Sequence, residues 1–293
     1  MRRVGGAFHR LALGAVVLAG AVLAWPSLAS ASKTSDDKVV NGCTIVANPT
    51  ETHHTVCATA FSGSDLAGLN LDWSMMTGST FGARPNLTDT TFRDAQMNGL
   101  TFSNATLVST DMSRAKLVDV NFKHSNLKGA KFNRAIMKTV FFGKTEMPDV
   151  EMKGALVTDV SFNQTIALGN LSGMIGTGVQ LVGCMCSRID LSDAKLSHVL
   201  IAINAGVSDF RFGSMNGASF EETTIENTNF FHMTFIGTQL QQTKFTKVKI
   251  QDSDLTRANF YHATGIGSLT GNTLCHTTDS FGEELNDGCR PAK

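Results

Sequence analysis

The sequence predicts an all-β solenoid wound as a four-sided coil, and three observations predict it. An apolar residue returns at every fifth position over long stretches. The residue two before it is usually small. Residues twenty apart resemble each other more closely than residues five apart. The first run reads Phe92, Met97, Phe102, Leu107, Met112 and Leu117 and continues unbroken to Phe162; the second runs from Phe210 through Met215 and Phe220 to Phe260. A period of five fits neither a helix, at about 3.6, nor a plain strand, at about 2. Inward residues at i−2 and i suit a short extended piece whose alternate side chains share a face. The other three must turn a corner. Asn and Asp at i−1 (Asp65, Asn70, Asp111, Asn121, Asn126, Asn229, Asp254, Asn259) suit hydrogen bonding to nearby backbone at such corners. Repeated corners make a coil, and stacked coils make a solenoid.

The period of twenty gives the coil four sides, each with its own stacked column. Leu100, Val120, Val140 and Val160 each precede Phe102, Phe122, Phe142 and Phe162, while the neighbouring column reads Ala95, Ala115, Ala135, Ala155. Allowing three one-residue slips, the Phe column extends to Phe61, Phe81, Phe102, Phe122, Phe142, Phe162, Leu181, Ile201, Phe220, Leu240 and Phe260. The slips fall near Pro85-Asn86, between Phe162 and Leu171, and near Gly206. Gly169, Gly173, Gly176, Gly178 and Gly183 loosen the middle; Gly176 occupies a central position, where Met174 is placed to cover the gap. Drifted repeats are preferred there to a hinge or recognition bulge, because glycine in a strand often marks a bulge.

Composition agrees with an ordered, apolar-cored chain. Of 293 residues, 42% are hydrophobic and 17% charged, with 25 basic and 25 acidic residues; 19 Phe stand against 1 Tyr and 2 Trp. Disorder and strongly basic nucleic-acid binding are disfavoured, and Phe, having no polar handle, suits complete burial. Arg2, Arg3 and Arg10, the apolar stretch 11–24 and the small residues Ala29-Ser30-Ala31 read as an export signal cleaved after Ala31. The apolar stretch is short for a membrane span. The expected mature chain carries 22 basic and 25 acidic residues, is secreted, and has no membrane attachment after cleavage.

The motif A-[DN]-[LF]-x-x, seen in Ser64-Asp65-Leu66, Ser125-Asn126-Leu127, Ser253-Asp254-Leu255 and Ala258-Asn259-Phe260, resembles the pentapeptide-repeat proteins. The resemblance covers about residues 59–265 and implies a right-handed quadrilateral β-helix with i and i−2 inside. At twenty residues per coil this makes about ten coils, and at ~4.8 Å per coil a rod about 50 Å long. The expected organisation is a signal peptide at 1–31, an N-terminal segment and disulfide cap at 32–58, the β-helix at 59–265, and a C-terminal disulfide cap at 266–293. Six cysteines permit fifteen full pairings. Cys43 and Cys57 flank the segment before the repeats, and Cys275 and Cys289 the segment after. Export permits disulfides, and a solenoid needs its ends covered, so these two pairs are expected to be bonded. The capped, exported arrangement resembles the secreted actinobacterial-type members of the family. Cys184 and Cys186, at i−2 and i, are expected to be buried thiols acting as small hydrophobes rather than a redox pair. His53 and His54 beside Cys57 match no standard zinc spacing, so no metal is expected.

No catalytic motif stands out: there is no G-x-S-x-G, H-E-x-x-H, P-loop or G-x-G-x-x-G. His124, His198, His232 and His262 are scattered, and the densest acids, Glu221, Glu222 and Glu226, read as a solvated corner. No enzyme and no cofactor are expected. Between Arg114 and Lys144 eight bases face one acid, Asp119. Arg114, Lys123, Lys128, Lys131 and Arg134 are the candidate anion-binding residues, although only Arg114 and Arg134 share a coil position. The leading expectation is a secreted, non-enzymatic scaffold contacting a protein or cell-surface polymer, its oligomeric state open and nucleic acid not expected as a partner. One alternative is an anion-binding surface over 114–144. The other, implied by the family resemblance, is a DNA-mimicking inhibitor of DNA gyrase; the export signal and a net charge of −3 argue against it.

Overall fold

The computed structural model describes residues 36–40, 42–57, 65–78, 81, 84–166, 169–184, 188–202, 209–221 and 223–289. Every element among them is β, and most strands are three residues long. The chain forms a parallel β-solenoid. Its longest sheet stacks nine strands, from Val56–Cys57 through Lys116–Val118 to Ser219–Glu221, one from each successive turn, against the ten coils expected. Gln96–Asn98 pairs with Lys116–Val118, which pairs with Ile136–Lys138, so Met97, Leu117 and Met137 sit level upon level, twenty residues apart. Isolated parallel bridges join the other sides, as in the series Thr91, Asp111, Lys131, Glu151.

Five backbone N–H groups per repeat explain why five residues close one corner. In the repeat centred on Met112, the N–H at i−1 donates to the coil below (Asp111 to Thr90 O, 3.0 Å), and those at i and i+2 to the coil above (Met112 to Lys131 O, 2.7 Å; Arg114 to Asn133 O, 2.9 Å). The next repeat's i−2 N–H closes the corner (Ala115 to Met112 O, 3.1 Å). That leaves the i+1 donor, which the Asx side chain at i−1 takes: Ser113 N–H donates to Asp111 Oδ1 (2.9 Å), Lys123 N–H to Asn121 Oδ1 (2.9 Å) and Tyr261 N–H to Asn259 Oδ1 (3.0 Å). The backbone is thus satisfied without water, and Asn or Asp at i−1 has its physical reason.

The fifth position, i+2, carries the bend. Among the described residues 27 non-glycine residues have positive φ, including Asp94 (59°), Arg114 (60°), His124 (59°) and Arg134 (58°). Glycine takes the same place at Gly99, Gly129 and Gly154.

The core is a column of side chains. Phe81, Phe102, Phe122, Phe142 and Phe162 are fully buried, with neighbouring rings near parallel at 4.3, 4.9, 5.1 and 5.1 Å between centroids. Phe132 meets Phe122 and Phe142 edge-on at 5.8 and 5.7 Å, so the columns of two sides interlock. Inward hydroxyls reach carbonyls of the preceding coil: Thr110 Oγ1 donates to Leu87 O (2.9 Å), Thr238 Oγ1 to Met215 O (2.7 Å), and Ser125 Oγ to Phe102 O.

The register departs from the expected column after Ile201. Leu181 pairs with Ile201 as anticipated, but Ile201 then pairs with Ile225, and Ile225 with Phe245. Phe220 follows Leu196 instead, and bridges at Ser219, Gln239 and Asn259 carry Phe220, Leu240 and Phe260 up that neighbouring side. These three residues are buried core, but they do not belong to the Phe102 column. The step from Ile201 to Ile225 is twenty-four residues, not nineteen. With a period of five, a one-residue deletion and a four-residue insertion leave the same pattern, so periodicity alone assigns the wrong side. Phe61 lies outside the described residues.

At Gly176 the coil step shortens to nineteen, from Val157. A Cβ on Gly176 would lie 1.8 Å from Val157 O, so the backbone itself occupies the space. Met174 is buried in the column that elsewhere holds Ala155 and Ala194: one repeat exchanges its large and small positions. The nine-stranded sheet passes through Ile175–Thr177 without interruption, which agrees with drifted repeats.

Both ends carry an antiparallel pair. Lys38–Val40 pairs with Cys43–Ile45, and the Cys43–Cys57 disulfide (Cα–Cα 5.6 Å) ties this hairpin to the first strand of the long sheet. Thr277–Thr278 pairs with Glu284–Leu285, closed by Cys275–Cys289 (Cα–Cα 4.6 Å). Coil-on-coil bridges reach Thr273 and Thr278, so winding continues past residue 265 and the C-terminal closure is built on a last partial turn.

Candidate functional site

On a solenoid whose interior is filled, the outward positions i−1, i+1 and i+2 are what a partner meets. The candidate basic band divides accordingly. Lys123 and Lys128 sit at i+1 on two successive sides and Lys131 at i−1 on a third; all three are exposed. Arg114 and Arg134 share one corner column, on successive coils. Arg114 is already engaged: Nε donates to Asp94 Oδ1 (2.8 Å) and Nη2 to Asp94 Oδ2 (2.6 Å). That hydrogen-bonded carboxylate raises the guanidinium above its usual pKa. Arg93 is held likewise by the buried Asp72, at 2.6 Å from Nη2 to Oδ2, and is raised for the same reason. The structure therefore does not gather the five predicted cations into one stripe.

Arg134 is different. The next two members of its column are glycines, Gly154 and Gly173, followed by Asp193. A shallow groove of about 460 Å³ opens there, lined also by Asn133, Lys153 and Ser172. Sequence reasoning counted Arg134 among the cations but did not find the groove; the signal available was the pair of glycines nineteen apart at i+2.

The histidines and acids do not assemble a catalytic set among the described residues. His124, His198, His232 and His262 are exposed, and Glu226 is partly exposed on a strand. Glu222 lies outside the described residues. His54 Nδ1 lies 2.8 Å from Glu51 O, and Cys43 and Cys57 are bonded to each other. Ligand atoms of Cys275, His276 and Cys289 lie within 4.8 Å of one another, but both sulfurs are in the disulfide, which removes the thiolates a metal would need. His276 Nδ1 meets Glu284 Oε1 at 2.8 Å, and this contact, with the Asn286 amide, lowers the Glu284 carboxyl pKa. Cys184 corrects the sequence reading: it is buried but disulfide-bonded, not a free thiol. Oxidation explains how a sulfur sits in this core without a donor to satisfy. Cys186 lies outside the described residues.

These features define a class: a parallel four-sided β-solenoid with a filled core and an open surface. The family model for pentapeptide repeats matches this chain in eight copies, at residues 86–123 and 225–260, so the chain carries pentapeptide repeats in both halves. Among solved structures it is similar to HetL, a pentapeptide repeat protein involved in heterocyst differentiation regulation from the cyanobacterium Nostoc, at 17% identity and a TM-score of 0.41, covering 74% of this chain and 91% of that one. It is also similar to full-length QnrB1, a plasmid-mediated fluoroquinolone resistance protein, at 15% identity and a TM-score of 0.20, covering 70% of this chain and 86% of that one. No curated protein matches the sequence.

Proposed function

We propose that this chain is an exported, non-enzymatic pentapeptide-repeat scaffold that presents flat β-sides to a protein or cell-surface partner. The observation that carries the reading is the stacking itself. Nine turns hold their apolar residues in one continuous buried column, so the rod is rigid and its specificity lies in outward residues at fixed ~4.8 Å intervals. The 460 Å³ groove is open, unlike the enclosed clefts that usually hold catalytic groups, and the hydroxyl of Ser172 in its lining is given to Asn170 Oδ1 (2.7 Å). The leader at 1–31 and the two terminal disulfides support an oxidising, extracytoplasmic destination, as in the secreted members of the family.

The test is capture of a partner from the producing cell's surface by tagged protein, beside a Lys123/Lys128/Lys131 charge-reversal control. A discrete partner retained by both forms is expected. Retention lost on charge reversal would favour the basic band, and the absence of any saturable partner would remove the scaffold reading. A DNA-supercoiling assay with gyrase is expected to show no inhibition; inhibition would restore the DNA-mimic alternative.

A further inference from the structure

The groove at Gly154 and Gly173 adjoins a second anomaly. On the next side of the same coils, the outward residues of the long sheet read Lys116, Ile136, Leu156, Ile175, Lys195, paired level by level. Ile136 is 45% exposed and Ile175 41%, and Leu156 between them is partly exposed. An unbroken apolar ladder therefore faces solvent over three coils, with a lysine at each end. The corner residues Arg134, Gly154 and Gly173 stand two positions before Ile136, Leu156 and Ile175. The ladder thus begins two residues beyond the groove's corner on each of the three coils.

Neither packing nor backbone conformation explains the glycines. A Cβ on Gly154 would meet only Arg134 Cγ at 3.8 Å, and one on Gly173 nothing nearer than 3.9 Å. Their φ values, 65° and 64°, are those adopted by Arg134 (58°) and Asp193 (58°) in the same column. Side chains are tolerated there, and their absence leaves a concavity. Its cations, Arg134 and Lys153, outnumber its one lining acid, Asp193. Arg134 and Lys153 have no ion pair among the described residues, whereas Arg114 one coil below is neutralised by Asp94. Glu151 nearby accepts from the neutral amide of Asn133 (Nδ2, 2.7 Å) and keeps its charge, and Asp193, whose Oδ1 lies 2.6 Å from where a Gly217 Cβ would be, is the one acid in the lining.

The geometry points to a docking surface for an extended, acidic peptide segment of a partner protein, with apolar side chains on the Ile136–Leu156–Ile175 ladder and a carboxylate in the groove at Arg134 and Lys153. This inference rests on the scaffold reading and specifies its surface. Alternate side chains of an extended peptide share a face, which suits a flat apolar ladder. Two cations, Arg134 and Lys153, against the single lining acid Asp193 favour an acidic ligand over a basic one. A simple polyanion would use the cations and leave three exposed apolar residues unexplained.

The probe is a random twelve-residue peptide library displayed on phage and selected on the purified chain. Enriched peptides are expected to combine an acidic residue with apolar residues at alternate positions. Their binding is expected to fall at least tenfold in each of three variants: Arg134→Glu, Gly173→Asn, and the double change Ile136→Thr with Leu156→Thr. All alter outward positions, and Asn accepts positive φ, so thermal unfolding midpoints close to that of the parent serve as the folding control. Any one variant that unfolds leaves two to decide the question. No enrichment, enrichment without that pattern, or binding unchanged in the folded variants overturns the inference. So does retention on immobilised polyphosphate that depends on Arg134 but not on Ile136 and Leu156, together with no enriched peptide, which marks a plain anion site. A cell-surface partner captured equally by all three variants defeats this surface and keeps the scaffold reading; capture of no partner defeats the scaffold reading itself.

Discussion

At the scale of single residues, position within the repeat decides what a substitution costs. Phe122 is fully buried between Phe102 and Phe142, with Phe132 edge-on. Its ring cannot be replaced by movement of a neighbour that is itself stacked on both sides. Phe122→Ala is expected to destabilise by about 3–5 kcal/mol, measured by denaturant unfolding; a loss below about 1 kcal/mol would mean that the column is not tightly packed. Gly176→Ala tests the opposite fault, since its Cβ meets backbone at Val157 O. An overpacking cost of about 1–3 kcal/mol is expected, whereas Gly173→Ala meets no close neighbour and should cost only the left-handed backbone penalty at φ 64°, about 1–2 kcal/mol. The inward positions were legible in the sequence because burial selects one chemistry, apolar at i and small at i−2. The positive-φ position was not. Asp, Arg, His, Lys and Gly all occupy it, since its side chain faces solvent and no residue type marks it.

At the scale of elements, the ends and the connections carry the information that periodicity cannot. Cys275–Cys289 closes a loop of sequence separation 14 around a short antiparallel pair. Cys289→Ser is expected to cost about 3 kcal/mol on chain-entropy grounds and to loosen the last coil first. Hydrogen exchange should show protection lost around Thr273 and Thr278 before it is lost at Phe122; uniform loss would contradict a local closure. Both terminal disulfide pairs were readable from position, because a solenoid must cover its ends. The side on which Phe220 lies was not readable, because five-residue periodicity is blind to multiples of five. The pairing of Ile201 with Ile225 implies four residues beyond one regular coil. Removing four residues from the connection between Ala202 and Asp209 should therefore preserve folding, with an unfolding midpoint near that of the parent. Removing all six residues between Ala202 and Asp209, which leaves the step from Ile201 to Phe210 two residues short of a regular repeat, should break the pairing of Ile201 with Ile225.

At the scale of the whole molecule, stability is a sum of contacts between successive coils, not the product of one central core. That architecture makes the rod repetitive, and leaves function to departures from the repeat on its surface. The fold class was legible because every coil must fill the same narrow interior, so the apolar residue recurs at each fifth position in unbroken runs from Phe92 to Phe162 and from Phe210 to Phe260. The docking surface was not legible, because it depends on which outward residues become neighbours across coils. Arg134, Gly154 and Ile136 meet only once the register is known.

The stacking of those coils is the central claim, and pulsed electron-spin distance measurement tests it directly. Spin labels would be placed on outward cysteines introduced in pairs at Ser219 and, in turn, Lys195, Leu156 and Lys116, which lie one, three and five strands away in the same sheet. Backbone separations rising by ~4.8 Å per strand, to about 24 Å for the Lys116 pair, are predicted. Separations that fail to rise in step with strand number would contradict the solenoid.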